Sequence, residues 1–166
     1  MIIRSVKLTQ EEKEGFMREA LLEAKKAEIM GEVPIGAVVV LDGEVIGRGH
    51  NVRETSQDAT THAEMIAIRD ANRHVKSWRL EKAQLFVTLE PCPMCSGGIL
   101  LSRIDQVFYG AKDPKGGAAG SLMNLLQDMR FNHSCYVETG ILEEECGSIL
   151  TNFFRKIRQE KKAKKG

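Results

Sequence analysis

Two short motifs hold the residue types from which a metal-dependent hydrolase is built: His62-Ala63-Glu64 and Pro91-Cys92-Pro93-Met94-Cys95. Each alone says little. A histidine opening a helix is commonly a surface or capping group. A lone CxxC fits a redox pair or half of a structural zinc site. The redox reading needs a thioredoxin-like setting, and the chain has none. A closed structural site needs four protein ligands. Cys135 and Cys146 could complete such a set, but their spacing is not that of a zinc knuckle, and both read as buried small apolar residues.

Together the motifs say more. One imidazole and two thiolates make three ligands and leave tetrahedral zinc one open position. Water held there has its pKa lowered towards about 7. Cys92 and Cys95, three apart at a helix start, can point at one ion from a single turn, and the helix dipole favours thiolate there. Glu64, two residues after His62, can take a proton from that water and pass it on. Residues two apart in mid-helix face different sides, so this reading requires His62 at the very start of its helix. The bland alternative for Glu64 is a first-turn carboxylate favoured by the dipole. The expectation is one zinc per chain on His62, Cys92 and Cys95, with Glu64 as the catalytic proton carrier.

These residues need elements to position them. Residues 10 to 31 read as a helix, with Phe16, Met17, Ala20, Leu21, Ala24, Ala27 and Met30 on one broad face. Thr9 and Glu12 form a capping-box pattern, and Gly31 is a stop. Ile35 to Leu41 is nearly all apolar, as in a strand covered on both faces. Asp42-Gly43 turns a hairpin into the strand Glu44 to His50. Residues 52 to 61 read as a loop, and a helix is expected from His62 to His74. Leu85 to Leu89 is a strand, Pro93 to Leu101 a helix and Ile104 to Tyr109 a strand. A glycine-rich loop (Gly116, Gly117, Gly120) leads to a helix near Leu122 to Gln127 and a short strand near Tyr136 to Glu138. The last helix starts near Leu142 and runs into the C-terminal tail. This alternation implies an α/β domain with helices on both faces of a mixed sheet. Such sheets place their sites where strands give way to helices, as both motifs do.

The bulk properties set limits. A chain of 166 residues suits one domain with a real core. Its hydrophobic fraction of 42% and charged fraction of 28% are those of an ordinary globular protein. No apolar run reaches the ~20 residues that span a bilayer. Met1 to Glu14 lacks the pattern of a signal peptide, and four cysteines do not suggest a disulfide scaffold, so a cytoplasmic location is expected. Charge is uneven: the last twelve residues carry a net +6 and the first 154 a net −5. The division expected is a zinc-site domain over 1–158 and a basic tail over 159–166. The tail is either a solvated end or a contact for phosphates.

H-x-E followed by P-C-x-x-C matches the established signature of zinc-dependent nucleobase deaminases. Over nearly its whole length the chain resembles the bacterial tRNA adenosine deaminases of the TadA type, within the cytidine/deoxycytidylate deaminase family. The resemblance lies in Gly31–Ala37, His50-Asn51, Thr61–Glu64, Trp78-Arg79-Leu80 and Val87–Cys92. It continues through Ser102-Arg103-Ile104, Gly116–Met123, Phe131-Asn132-His133 and Phe153-Phe154-Arg155. It implies a three-layer α/β/α sandwich with a central mixed sheet of about five strands. It also implies a homodimer, and hydrolysis of the wobble adenosine in a tRNA anticodon loop to inosine, releasing ammonia. By the same resemblance Asn51 holds the target nucleoside, and Asp113, Asn132, Phe153 and Arg155 lie near the anticodon loop. Plain alternatives stand beside these: Phe153 as core, Asp113-Pro114 and Asn132 as turn formers, Arg155 as a helix-end charge. A deaminase of free bases or nucleosides would use the same water and proton shuttle. An idle RNA-binding module with a structural zinc would have no use for Glu64.

Overall fold

The computed structural model describes residues 5–165. Met1 to Arg4, where the leader reading begins, and Gly166, which ends the basic tail, lie outside the described residues. In chain order the elements are α1 (Gln10–Ile29), β1 (Gly36–Leu41), β2 (Glu44–His50), α2 (Arg53–Ser56) and α3 (Ala63–Val75). Then follow β3 (Gln84–Leu89), α4 (Pro93–Ser102), β4 (Gln106–Ala111), β5 (Tyr136–Thr139) and α5 (Glu143–Lys165). The five strands form one sheet in the order β2-β1-β3-β4-β5. β1 runs antiparallel to both β2 and β3, while β3, β4 and β5 are parallel. The sheet is therefore mixed, as expected.

Alternation along the central strands builds two cores. Val38, Val40, Phe86 and Phe108 face one way and pack with Met17 and Ala20 of α1 and Cys146 of α5. Ala37, Val39, Leu85, Val87 and Val107 face the other way and pack with Ala63, Ala67 and Ala71 of α3 and Ile99 and Leu100 of α4. Two apolar layers separated by one sheet make a three-layer α/β/α sandwich. Phe86 and Phe108 stack in adjacent parallel strands at 4.6 Å between ring centroids, which knits the middle of the α1 side. None of the described helices is long and apolar enough to cross a membrane.

Local signals acted as the sequence implies. Thr9 caps α1 and Glu12 returns the bond to the Thr9 main chain, a complete capping box. Asp42 and Gly43 both adopt positive φ (50° and 80°), the type I′ geometry that closes β1 onto β2. Two expectations fail. The segment 52–61 is not all loop, because Arg53–Ser56 forms the one-turn helix α2. The helix near Leu122 to Gln127 does not form. Leu125 and Leu126 imitate a helical stripe, but the amides here are taken by partners from elsewhere. Ala119 N–H and Ser121 N–H donate to the Glu90 carboxylate, Leu122 N–H to Gly117 O, and Leu125 N–H to Ala118 O. An isolated antiparallel bridge joins Ala119 to Asn124, and Leu126 is buried as a loop residue.

α3 lies directly on the backbone of β2. A Cβ on Gly47 would strike Ala67 O and come within 2.7 Å of Ala71 N. The absent side chain lets α3 approach and carry its first residues to the site. Gly47→Ala should push α3 outwards and lower stability by about 1–3 kcal/mol. Gly15 of α1 has nothing within 4 Å of an added Cβ, so Gly15→Ala should instead stabilise by up to about 1 kcal/mol. Thermal unfolding of the two variants measures both, and equal shifts of the same sign would refute the close-packing account.

Candidate metal and catalytic centre

The starts of α3 and α4 meet. His62 is the N-cap of α3, with extended backbone angles (φ −78°, ψ 154°), so it stands outside the helical repeat. That meets the condition on Glu64: with His62 in the cap, the second helical residue can point to the same side. Cys92 is the N-cap of α4, Pro93 opens its first turn, and Cys95 sits one turn in. Cys95 N–H donates to Cys92 Sγ at 3.5 Å, as an N3 amide does to a capping group.

His62 Nδ1 lies 3.5 Å from both Cys92 Sγ and Cys95 Sγ. A tetrahedral ion with nitrogen at about 2.0–2.1 Å and sulfur at about 2.3 Å separates those ligand atoms by about 3.5 Å. All three ligand atoms lie within 4.8 Å of one another, a group that could hold a metal ion. Hydrogen bonding with Cys95 draws Cys92 down to about 4, against its burial and with help from His62. The same bond, together with burial, pushes Cys95 up. His62 is raised, chiefly by its bond to Cys92. Cys135 and Cys146 are far from this chemistry. Both are buried in the two cores, and burial pushes each thiol up to about 12.

Glu64 is 4% exposed, and burial lifts its carboxyl to about 7, with Cys92 adding to the effect and the Glu64 main chain and His62 opposing it. It shares with His62 and Cys92 the lining of a cavity of about 270 Å³. That is just below the usual range for small-ligand clefts, room for a single flat ring system. Val33, Ile35 and Leu89 supply apolar wall, and Arg53, Glu90, Asp113 and Phe154 complete the polar and aromatic surface.

The positions suggested by resemblance divide. Asn51 and Asp113 line the cavity. Asn51 is buried; its amide donates to Val33 O at 3.2 Å and accepts from Arg53 N–H at 3.1 Å. Asp113 Oδ1 accepts from Lys115 N–H and Gly116 N–H, the turn that its sequence context also implies. Phe153 is buried and lies edge-on to Phe154, and it is Phe154 that reaches the cavity. Asn132 and Arg155 are exposed and outside the lining. The sequence reading passed over two buried carboxylates. Glu32 accepts from Glu54 N–H and Thr55 N–H at 3.2 and 2.6 Å, fixing α2 and the turn after Asn51. Glu90 accepts from the loop that carries Asp113. Burial opposes ionisation of both, yet the N–H and hydroxyl bonds outweigh it and hold each below the usual carboxylate value. Most of their partners are main-chain groups, which leave no pattern in side-chain types.

Residues 11–158 match the MafB19-like deaminase family. The tRNA-specific adenosine deaminase of Bacillus subtilis is 58% identical over 156 residues, covering 94% of this chain and 96% of that protein. That of Haemophilus influenzae is 46% identical over 162 residues, covering 97% and 94%. A structure from work on A-to-I editing by tRNA:A34 deaminases at the wobble position superposes with a TM-score of 0.79 at 46% identity, covering 82% of this chain and 99% of that one. With similarity that runs almost end to end and a complete His/Cys/Cys/Glu set, the chain belongs to the tRNA-specific adenosine deaminases of the MafB19-like deaminase family.

Proposed function

We propose that this protein converts the wobble adenosine of a tRNA anticodon loop to inosine and ammonia, using one zinc ion on His62, Cys92 and Cys95. The observation that carries the reading is a His/Cys/Cys ligand set at tetrahedral spacing beside a buried carboxylate, on a cavity sized for one base. Its relatives' names supply the substrate class. In the reaction water adds to the ring carbon that bears the amino group, and that C–N bond breaks. The metal, when bound, supplies Lewis acidity that makes water a nucleophile near neutral pH. Glu64 takes the proton that the water loses and delivers it to the neighbouring ring nitrogen. It then carries a second proton to the departing amine. Its burial keeps bulk water from competing for those transfers and places its proton affinity near neutrality. Val33, Ile35 and Leu89 bound the base, while Asn51 uses half of its amide to hold the cavity wall and offers the rest to the nucleoside.

A base paired in a duplex cannot enter such a cavity, so the target adenosine must be splayed from a loop. We assign the wider RNA contact to the outside of the cavity, with Asn132 and Arg155 near the loop, Phe154 in place of the buried Phe153, and residues 159–166 against its phosphates. α5 continues as helix to Lys165 and so carries the tail's lysines on its last turns. The protein acts as a homodimer in the cytoplasm, where its substrate is.

Elemental analysis of protein purified without added metal should give about one zinc per chain. Cys92→Ser should lose it, while Cys135→Ser and Cys146→Ser should keep it; zinc loss in either of the last two would overturn the ligand set. Glu64→Ala and Glu64→Gln should retain zinc and fold but lose at least about 10²–10⁴-fold in rate. Turnover within about threefold of wild type in either would remove the proton-carrier role. Incubation with total tRNA followed by sequencing should reveal adenosine-to-inosine changes at the wobble position. An anticodon stem-loop should react and the same adenosine in a long duplex should not. Deleting residues 159–166 should raise KM for the stem-loop and flatten its salt dependence by about 0.7 in log–log slope per lost phosphate contact, leaving kcat nearly unchanged. Ammonia from free nucleosides but not from tRNA would favour a free-nucleoside deaminase instead.

A further inference from the structure

Glu90 stands between the metal ligands and the far wall of the cavity. It directly follows β3 and precedes Pro91-Cys92. It is 3% exposed and lines the cavity, a position where a carboxylate could be taken for a second base-binding or proton-carrying group. Its hydrogen bonds say otherwise. Oε1 accepts from Asp113 N–H at 3.1 Å and from the Ser121 hydroxyl at 2.5 Å. Oε2 accepts from Ala119 N–H at 3.1 Å and Ser121 N–H at 2.9 Å. A carboxylate has about four acceptor sites, so this one is fully occupied by its own loop. The neighbouring main chain adds two more ties: Glu90 N–H donates to Ala111 O, and Ala118 N–H donates to Pro91 O. Gly117 is the complement, because a Cβ there would strike the Glu90 carboxylate.

We propose that Glu90 is a positioning residue that clamps the 113–121 loop to the metal-binding turn and so sets the cavity wall at Asp113. The same residue reaches Cys92 through two peptide bonds and the loop through four hydrogen bonds, one of them to Asp113 in the wall. The side chain thus adds to the two main-chain ties in setting the spacing between Cys92 and the wall, and with it the fit of the substrate nucleotide. The substrate consequence rests on the deaminase reading above; the clamp itself does not.

Glu90→Gln tests it. The amide keeps one oxygen, which satisfies two of the donors, but its NH₂ group must then face others. Facing the Oε1 side, it can donate to the Ser121 hydroxyl but opposes Asp113 N–H. Hydrogen exchange at Asp113 should therefore accelerate, with α1 and β1 unchanged and zinc still about one per chain. KM for the stem-loop should rise roughly tenfold or more with kcat within about threefold, the loss expected when one bond to a charged group is removed from a wall that holds ground state and transition state alike. Ser121→Ala removes only the hydroxyl bond and should show the same pattern more weakly, and it keeps the test open should Glu90→Gln fail to fold. Unchanged exchange at Asp113 in both variants would overturn the clamp. So would zinc loss that accounts for the whole activity loss, since Glu90 would then serve only the metal turn. A wild-type protein inactive on the stem-loop would sink the substrate reading while leaving the exchange result to decide the clamp.

Discussion

The site depends on three ligand atoms being brought within a few ångströms of one another by two helix starts. His62 caps α3, and Cys92 caps α4 with Cys95 one turn in. Both helices direct the positive ends of their dipoles at the same small volume, which favours thiolate at Cys92. Neither helix could move much without spoiling this. α3 is held against β2 at glycine-backbone distance, and α4 is joined to β3 through only Glu90, Pro91 and Cys92. The sandwich is in that sense a jig, in which the sheet fixes where the two helices begin.

Glu64 pays a desolvation penalty for its position, which is why its carboxyl is pushed up to about 7. Glu32 and Glu90 are also buried, but each accepts two or more N–H bonds and stays ionised. These three buried acids thus fall into two kinds. Two have their oxygens occupied by main-chain donors and act as fasteners. In the third, burial outweighs the hydrogen bonds it accepts from its own main chain and Cys95, and its carboxyl is raised instead of lowered. Environment, and not residue type, separates the roles.

This distinction also marks what the sequence could tell. The capping box, the Asp42-Gly43 turn, the buried strands and the two motifs depend on neighbours along the chain, and each appears where its pattern placed it. The failed helix near Leu122 to Gln127 and the unexpected α2 depend on Glu90 and Glu32, whose bonds to backbone amides there span 31 and 23 residues. No side-chain pattern encodes such a partnership. The pair Phe153-Phe154 shows a related limit. Adjacent aromatic residues on a helix face different directions, and only the docking of α5 on the sheet decides that Phe153 is buried while Phe154 lines the cavity.

The cavity accounts for chemistry but not for affinity towards a nucleic acid. Glu64, Glu90 and Asp113 outnumber Arg53 among its charged walls, and the first 154 residues carry a net −5, so the body of the protein repels a polyanion. On the proposed reading attraction comes from elsewhere, and the basic end of α5 carries the charge for it. Its first turn is acidic (Glu143, Glu144, Glu145) and its last turn basic (Lys162, Lys164, Lys165), each sign matching the helix dipole. Phe154 touches the cavity, and Lys161 to Lys165 follow seven to eleven residues later on the same continuous helix. At 1.5 Å per residue that places the lysines roughly 10–16 Å along the axis from Phe154, the span of a few nucleotides. One helix therefore joins the base cavity to the positive charge, and a loop nucleotide can be held by its base at one end and by its neighbouring phosphates at the other.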